Sequence, residues 1–234
     1  MYKRVLLKLS GESLGGNAGK GLDTASLQAA AEEIASAAKA GLQIAIVNGG
    51  GNIFRGLQGV GKGFDRVDGD KMGMLATVIN SLALSMFIKE QGVNAQVFTA
   101  TPMEPVAKYY MRDDAVKVME EGGVALIAGG TGNPFFTTDT AAALRASEIN
   151  AEAMLMAKNG VDGVYTDDPN TNPNAKKLEN INYDDIIKNG LKIMDTSACA
   201  LCKQNNIPIV VFDFKKEDGI KNILNGEKLG TYIS

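Results

Sequence analysis

The sequence contains no histidine and no tryptophan, and aromatic residues make up only 6% of it. Without histidine, the chain cannot build a Ser-His-Asp triad or a histidine metal site, and it lacks the most common general base. Any chemistry must therefore use lysine, arginine, aspartate, backbone dipoles or a metal ion held by substrate phosphates.

Cysteine is nearly absent, and the two cysteines form a single Cys199-Ala-Leu-Cys202 pair. Such a pair can be a redox motif or half of a zinc site. The sequence has no second pair and no histidine to complete a zinc site, and the pair lies in an apolar helical pattern. We therefore expect two small residues on a packed helix face, in a reduced, cytoplasmic protein.

Positive charge and long apolar runs are also scarce. The net charge is −3 and the pI is about 5.2, which argues against binding to polymeric nucleic acid, since that needs a basic surface. No run of about 18 apolar residues suggests a transmembrane helix, and Lys8 interrupts the apolar N-terminal segment, which argues against a signal peptide. A chain of 234 residues can form one large domain or two small lobes.

Glycine is abundant, with 27 residues that cluster after apolar runs. Val124–Ala128 predicts a buried strand, and Gly129, Gly130 and Gly132 follow it directly. The next residues, Thr137-Thr138-Asp139, suit the start of an alanine-rich helix. This order directs free N–H groups and a helix N-terminus at one point, as an anion site requires. A plain turn would not need so long a loop. We expect its Phe135 and Phe136 to pack or to line a pocket.

Strands alternate with helices along the chain, which predicts an α/β fold: a three-layer αβα sandwich with a mostly parallel central sheet. The predicted strands are Arg4–Leu9, Leu42–Val47, Asn94–Ala100, Val124–Ala128, Ala153–Ala157, Pro208–Phe214 and an edge strand at Thr231–Ser234. The predicted helices run from Asp23 or Thr24 to Ala40, from Asp70 to Glu90, from Asp113 to Glu121, from near Asp139, from Tyr183 to Lys188 and from Asp195 to Asn205.

Three glycine-containing loops follow successive strands: Ser10-Gly11, Gly49–Gly51 and Gly129–Gly132. Ligands in such sheets bind beyond the carboxyl ends of the strands, so these loops should meet around more than one phosphate. The segment Gly56–Gly63 matches the P-loop pattern G-x-x-x-x-G-K-[ST] up to its last position, where Gly63 replaces the serine or threonine. No dinucleotide-binding G-x-G-x-x-G follows a predicted strand either.

Lys8 and Arg55 are the candidate phosphate-binding cations. Lys8 lies inside a predicted strand, where a lysine is costly unless it reaches an anion or solvent. Facing a phosphate, it could neutralise the charge that develops in phosphoryl transfer; the alternative is an edge lysine facing water. Arg55 lies four residues after Gly51, and its guanidinium suits phosphate oxygens.

Four further residues each allow two interpretations. Asp70 is either a helix cap or a ligand for a ribose diol, and Asp139 is either a cap or an organiser of nearby lysines. Tyr165 and Asp168 either form a turn or bind a nucleoside, with the ring stacked on the base and the carboxylate on the ribose.

The chain resembles the bacterial uridylate (UMP) kinases of the amino-acid kinase superfamily from Lys3 to Tyr232. The resemblance is carried by Lys8–Glu12, Gly49–Gly56, Gly69–Thr77, Thr131–Asp139, Asp162–Pro169 and Lys192–Asp195, and the Thr131–Asp139 motif is the most specific. The Lys8 and triple-glycine motifs also occur in carbamate and acetylglutamate kinases.

The resemblance implies transfer of the γ-phosphate of ATP to UMP, giving ADP and UDP in pyrimidine nucleotide synthesis, with Mg²⁺ carried on ATP. It implies catalytic roles for Lys8, Arg55 and Asp139, the last orienting Lys8. The implied ATP ligands are Lys8, Leu9, Ser10, Gly11, Gly51, Arg55, Asn159 (preferred to Lys158), Tyr165 and Asp168, with Asp195 near the ATP–magnesium end. The implied UMP ligands are Gly50, Asp70, Thr131, Gly132, Asn133, Pro134, Phe135, Phe136, Thr137 and Thr138.

The resemblance further implies one amino-acid kinase domain, with an acceptor lobe at about 1–150 and an ATP lobe at about 151–234. Members of the family are typically cytoplasmic homohexamers, in which the helix that corresponds to the long helix after Asp70 helps to build the dimer. Some respond to GTP through the loop that corresponds here to Gly16, Asn17, Ala18, Gly19, Lys20 and Gly21. A kinase of a carboxylate or carbamate metabolite and a nucleotide sensor without turnover are the competing hypotheses.

Overall fold

A large, mostly parallel sheet forms the centre of the protein in a computed structural model that describes residues 2–55, 63, 65–167, 171–172, 174–189, 191, 193–214, 219–224, 227 and 229–234. Within these residues, nine strands follow the order β4-β3-β5-β2-β1-β6-β10-β11-β9. All neighbours pair in parallel except β10 and β11. The strands are β1 (Arg4–Leu9), β2 (Gln43–Asn48), β3 (Ala95–Thr99), β4 (Lys108–Tyr109), β5 (Val124–Ala128), β6 (Ala153–Lys158), β9 (Asn180–Ile181), β10 (Ile209–Asp213) and β11 (Thr231–Ile233). A separate antiparallel hairpin joins β7 (Val164–Tyr165) to β8 (Lys177–Leu178).

Helices cover both faces of the sheet. They are α1 (Thr24–Lys39), α2 (Arg66–Glu90), α3 (Arg112–Glu120), α4 (Thr138–Glu148), α5 (Tyr183–Asn189), α6 (Thr196–Gln204) and α7 (Gly219–Leu224). One core joins the sheet to α1, α2 and α7, and a second core joins it to α3, α4, α5 and α6. The predicted three-layer αβα sandwich is therefore confirmed.

Strand β1 is the centre of this arrangement because it pairs with β2 on one side and β6 on the other. Successive side chains of a strand alternate between the two faces of a sheet. Leu7 and Leu9 accordingly belong to the core under α1 and α2, whereas Leu6 belongs to the other core. Lys8 follows the alternation of Leu6, so it lies on the face that α4 covers.

Side-chain caps fix where four of the helices begin. Asp23 caps α1, Asp65 caps α2, Thr137 caps α4 and Asp195 caps α6, each by accepting hydrogen bonds from the first turn. The prediction that α2 begins at Asp70 was wrong, since the helix starts at Arg66. Asp70 is therefore not a cap, and neither is Asp139.

The C-terminal part of the sheet also differs from the prediction. The strand predicted at Thr231–Ser234 exists as β11, but it lies inside the sheet because β9 pairs with its outer side. Strand β9 and the β7–β8 hairpin have only two residues per strand, which is too short for a periodic apolar pattern. Most of the P-loop-like segment (56–62) and Lys192 lie outside the described residues.

Helix α2 is long and apolar enough, by length and composition alone, to cross a membrane, and 44% of its most apolar window is buried inside the protein. The helix packs against α1 and β3, and its buried face contains Thr77 and Asn80, which bond to the glycine loops. These contacts are those of a core helix, and core helices can also be long and apolar enough to meet this criterion of length and composition.

Candidate functional site

Three glycine loops meet at the carboxyl edge of the sheet, as predicted. They follow β1, β2 and β5, which lie side by side in the order β5-β2-β1. A Cβ atom on Gly11 would lie 2.7 Å from the carbonyl oxygen of Gly49, so these two loops touch through their backbones. The third loop is held by α2, because the N–H of Gly129 donates to Oγ1 of Thr77 at 2.8 Å.

Lys8 and Asp139 form an ion pair at this edge. Nζ of Lys8 lies 2.8 Å from Oδ1 of Asp139, and only 11% and 17% of the two side chains are exposed. Since β1 is an interior strand, the alternative of an edge lysine facing water is excluded. Asp139 occupies the first turn of α4, where Thr137 is the cap, so its carboxylate is available to orient the ammonium.

Lys158 places a second ammonium near this pair. It is the last residue of β6, and its Nζ donates to the carbonyl oxygen of Ile193 at 2.8 Å. Burial lowers the pKa of Lys158, the charge of Lys8 lowers it further, and Asp139 acts in the opposite direction. One carboxylate thus serves two lysines, which leaves this edge suited to an anion.

Asp195 connects the start of α4 to the start of α6 through hydrogen bonds. Its carboxylate accepts hydrogen bonds from the hydroxyls of Thr137 and Thr140, and it caps α6 through the N–H of Ala198 at 2.7 Å. The position of Asp139 therefore depends on Asp195. The family resemblance implied only that Asp195 lies near the ATP–magnesium end, and it gave no indication of these hydrogen bonds between two helices.

A cleft of about 430 Å³ opens between the glycine loops and α2. It contains a carboxylate, Asp70, and two guanidinium groups, those of Arg55 and Arg66. The described residues that line it are Gly50, Gly51, Phe54, Arg55, Arg66, Gly69, Asp70, Gly73, Met74, Thr77, Gly130, Thr131, Asn133, Phe136, Thr137 and Thr138. Both signs of charge and an aromatic ring in one cleft suit a phosphorylated ligand that also carries hydroxyls and a base.

Gly50 and Arg55 form the side of the cleft nearest β2. A Cβ atom on Gly50 would lie 2.7 Å from that of Ala76, so glycine alone allows this loop to rest on α2. Nε of Arg55 donates to the carbonyl oxygen of Gly51 at 3.2 Å, and its guanidinium pairs with Glu12. Arg55 therefore lies beside the same loop, as predicted.

Asp70 lies on the opposite side of the cleft, in the second turn of α2. Its Oδ2 accepts hydrogen bonds from Nε of Arg66 and from the backbone N–H of Phe135, both at 2.8 Å. The cap interpretation of Asp70 was wrong, and the structure leaves a carboxylate in the wall of a polar cleft.

The loop Thr131–Thr138 enters the cleft only in part. Thr131, Asn133, Phe136, Thr137 and Thr138 line it. Among the described residues, Gly132, Pro134 and Phe135 are not part of the lining. The expectation for the two phenylalanines therefore holds for Phe136, whereas Phe135 is 64% exposed, and the guanidinium carbon of Arg66 lies 5.5 Å from the centre of its ring.

The predicted donor-side residues lie along β1, β6 and the hairpin. Leu9 is buried and ends β1, and Ser10 and Gly11 begin the loop after it. Asn159 follows β6 directly, and its side-chain oxygen is buried without a hydrogen-bond partner in the described part of the chain.

Tyr165 ends β7, and its hydroxyl donates to Oδ1 of Asp162 at 2.7 Å. That hydrogen bond raises the pKa of the Tyr165 phenol. The tyrosine is therefore a hairpin residue rather than part of a mere turn. Asp168 lies outside the described residues.

The glycine-rich loop at residues 16–21 is hydrogen-bonded to the glycine loop that follows β2. It contains one turn of 3-10 helix at Gly16–Ala18. The N–H of Gly21 donates to the backbone oxygen of Asn52 at 2.8 Å, and the Asn52 amide donates back to the oxygen of Gly21 at 2.6 Å. This loop is therefore hydrogen-bonded to Asn52, the residue that follows Gly51.

A buried pair of amides, which sequence reasoning missed, connects these loops to α2. Asn52 and Asn80 donate to each other at 3.0 and 2.8 Å, and Asn80 also donates to the oxygen of Gly49 at 2.7 Å. Asn80 is fully buried. An asparagine within the apolar face of a long helix was the available signal, since a buried amide needs partners.

The two cysteines are free thiols on the packed side of α6, as predicted. Burial raises the pKa of both thiols, that of Cys202 to about 12. Neither is therefore a thiolate at neutral pH.

The sequence matches the Amino acid kinase family over residues 3–213. It is 54% identical over 232 residues to a uridylate kinase of Parabacteroides distasonis, in a match that covers 99% of this chain and 98% of the relative. The structure is similar to that of the UMP kinase from Bacillus anthracis, with a TM-score of 0.96, 40% identity and coverage of 100% and 96% of the two chains. For the UMP kinase from Ureaplasma parvum, the TM-score is 0.93, the identity is 38% and the coverage is 100% and 99%.

Proposed function

Because this chain belongs to the amino acid kinase family, we propose that it transfers the γ-phosphoryl group of ATP to UMP, forming ADP and UDP. The observation that carries the proposal is the buried Lys8–Asp139 ion pair between a polar cleft and the end of β6. Relatives and solved structures that match nearly the whole chain are named uridylate kinase or UMP kinase. The reaction supplies a pyrimidine nucleoside diphosphate, which fits a role in pyrimidine nucleotide synthesis.

The acceptor needs no general base. The second pKa of a phosphate monoester is about 6, so most UMP is already a dianion at neutral pH. A phosphate oxygen can then attack the γ-phosphorus directly. Catalysis reduces to holding two nucleotides in line and neutralising the charge between them. A site without histidine meets both requirements.

We assign the 430 Å³ cleft to UMP. The backbone N–H groups of the Gly49–Gly51 loop and the guanidinium of Arg55 suit its phosphate, and the carboxylate of Asp70 suits its ribose. The loop Thr131–Thr138 would surround the uracil and the phosphate, with Phe136 as the apolar wall.

We assign ATP to the loops after β1 and β6. Lys8, Leu9, Ser10, Gly11, Gly51 and Arg55 would contact its phosphates, and Asn159, Tyr165 and Asp168 would hold its adenosine. The buried, unpartnered side-chain oxygen of Asn159 supports this assignment, since an exocyclic amino group of adenine is a suitable donor. Lys158 instead points its ammonium at the oxygen of Ile193, which favours Asn159 as the adenosine contact.

We propose that ATP would carry Mg²⁺ into the site, where the ion would help to neutralise the charge on the transferring group. Asp139 and Asp195 fit a supporting role only, because the first already pairs with Lys8 and the second accepts from two threonine hydroxyls.

We further expect a cytoplasmic homohexamer. Helix α2 exposes Leu75, Ile79 and Met86, and a dimer contact would remove this apolar surface from water. The acceptor and donor lobes are expected at about 1–150 and 151–234.

The loop Gly16–Gly21 is the expected place for a response to GTP. Its hydrogen bonds to Asn52 would connect a bound effector to the loop that carries Gly51.

The experiment is a coupled assay of ADP release with UMP, CMP, AMP and small carboxylic acids as acceptors. We expect ADP formation with a strong preference for UMP. Activity with a small acid and none with UMP would support an acid kinase, and tight UMP binding without ADP formation would support a sensor.

A further inference from the structure

Arg66 is held over the outer side of the cleft by two contacts. It is the first residue of α2, and its Nε donates to Oδ2 of Asp70 at 2.8 Å, one helical turn away. Its guanidinium carbon also lies 5.5 Å from the centre of the Phe135 ring. An arginine in this position makes a charge-assisted hydrogen bond and a cation–π contact at once.

Phe135 takes a backbone conformation that few non-glycine residues adopt. Its φ is 72°, in the left-handed region. Such a conformation persists only where the surroundings hold it. Here the backbone N–H of Phe135 donates to Oδ2 of Asp70 at 2.8 Å, and Arg66 covers its ring. The shape of the Thr131–Thr138 loop therefore depends on both residues.

Asp70 receives both hydrogen bonds on a single oxygen. Arg66 and Phe135 both donate to Oδ2, and within the described residues Oδ1 receives no donor. Only 14% of the Asp70 side chain is exposed. Burying a carboxylate is costly unless it is paired with a cation. Arg66 is that partner, and its hydrogen bond also fixes the plane of the carboxylate, which leaves Oδ1 for a ligand.

We infer that Arg66 is a positioning residue for the acceptor nucleotide. With the proposed function as the premise, Arg66 orients Asp70 toward the ribose hydroxyls of UMP. Through Phe135, it also sets the conformation of the loop that receives the base. Arg66 acts through these two residues and does not touch the reacting phosphates. Its role is therefore in acceptor binding, separate from Lys8 and the donor.

The test compares Arg66→Ala and Arg66→Lys with the unmodified enzyme in steady-state assays. We expect Arg66→Ala to raise the KM for UMP about tenfold, as loss of a charge-assisted hydrogen bond predicts. The KM for ATP and the kcat should change less than about threefold, since the donor side is untouched. Arg66→Lys keeps the charge but loses the planar Nε–H, so it should restore only part of the affinity.

Lys71→Ala is the matched control. Lys71 pairs with Asp68 at 3.2 Å on the same helix, and both side chains are mostly exposed. The Lys71→Ala change removes a positive charge from the same end of α2 without changing Asp70, so it should leave the KM for UMP and the KM for ATP unchanged. An equal rise in the KM for UMP in this control would attribute the Arg66 effect to general electrostatics and overturn the inference.

A double mutant separates positioning from a structural role. Because Arg66 acts partly through Asp70, Arg66→Ala should raise the KM for UMP by a smaller factor once Asp70 is already alanine, the remainder coming from its contact with Phe135. Fully additive effects, or a parallel rise in the KM for ATP, would contradict the inference. If Arg66→Ala fails to fold, Arg66→Lys and its double mutant with Asp70→Ala decide the question. Failure of the unmodified enzyme to phosphorylate UMP would instead refute the proposed function.

Discussion

Replacing Asp139 with asparagine tests the charge arrangement at the centre of the site. The change keeps the size of the side chain and removes its charge. In the native structure Asp139 lies 2.8 Å from Nζ of Lys8, and it also opposes the depression of the Lys158 pKa. The Asp139→Asn variant would leave two largely buried ammonium groups near each other without a carboxylate between them.

The cost follows from burial. Removing one partner of a buried ion pair destabilises a protein by about 3–5 kcal/mol. Because 11% of the Lys8 side chain remains exposed, we expect the lower end of that range, about 3 kcal/mol. The kcat should fall about 100-fold, since an ammonium that is misplaced by about an ångström loses that much catalysis.

Urea unfolding followed by far-UV circular dichroism measures the stability, since the protein has no tryptophan for fluorescence. The same titration with ATP provides an internal control. Triphosphate oxygens can neutralise the uncovered lysines, so ATP should stabilise Asp139→Asn more than it stabilises the unmodified protein. A variant with native stability and native kcat would refute the assigned role of Asp139.

Four further changes test other parts of the site and its supports. Asp70→Ala should raise the KM for UMP more than the KM for ATP in steady-state assays, and equal effects on both would give Asp70 a purely structural role. Lys8→Ala should lower kcat by about 100-fold with only a modest loss of binding, whereas an unchanged kcat would remove Lys8 from the chemistry. Asn80→Leu removes the donor to the side-chain oxygen of Asn52 and to the backbone oxygen of Gly49, and it should destabilise the protein in urea by about 2–5 kcal/mol; a loss below about 1 kcal/mol would show that the amide pair contributes little. Burial lowers the pKa of Lys158 from 10.5 in the folded protein. Between that lowered pKa and about 10.5 the unfolded chain binds more protons, so this group makes stability rise with pH in that window. Lys158→Met should remove this contribution in urea titrations across that pH range, and an unchanged slope would contradict it.

Local sequence signals predicted the frame of the site well. The apolar run at Val124–Ala128 and the glycines after it are sufficient to define a buried strand and a close-packed loop, and β5 has those bounds. Lys8 was identifiable because a lysine inside a buried parallel strand needs an anionic partner. The local pattern could not identify Asp139 as that partner, because Asp139 lies far from Lys8 along the chain; only the family resemblance implied that it orients Lys8.

Contacts between distant segments explain what sequence reasoning missed. The sequence pattern predicts that α2 starts at Asp70, because nothing in the sequence alone favours Asp65 over Asp70 as its cap. The Asn52–Asn80 amide pair joins residues 28 positions apart, and the Asp70–Phe135 hydrogen bond joins residues 65 apart. Such partners are determined by how the loops pack on α2, which depends on the folded sheet.

Steady-state ADP release with UMP as acceptor is the most direct test that this edge of the sheet holds a donor and an acceptor nucleotide head to head. We predict rapid ADP and UDP formation with UMP, much slower turnover with CMP and AMP, and none with small carboxylic acids. A preference for another acceptor, or no ADP formation with UMP, would contradict it.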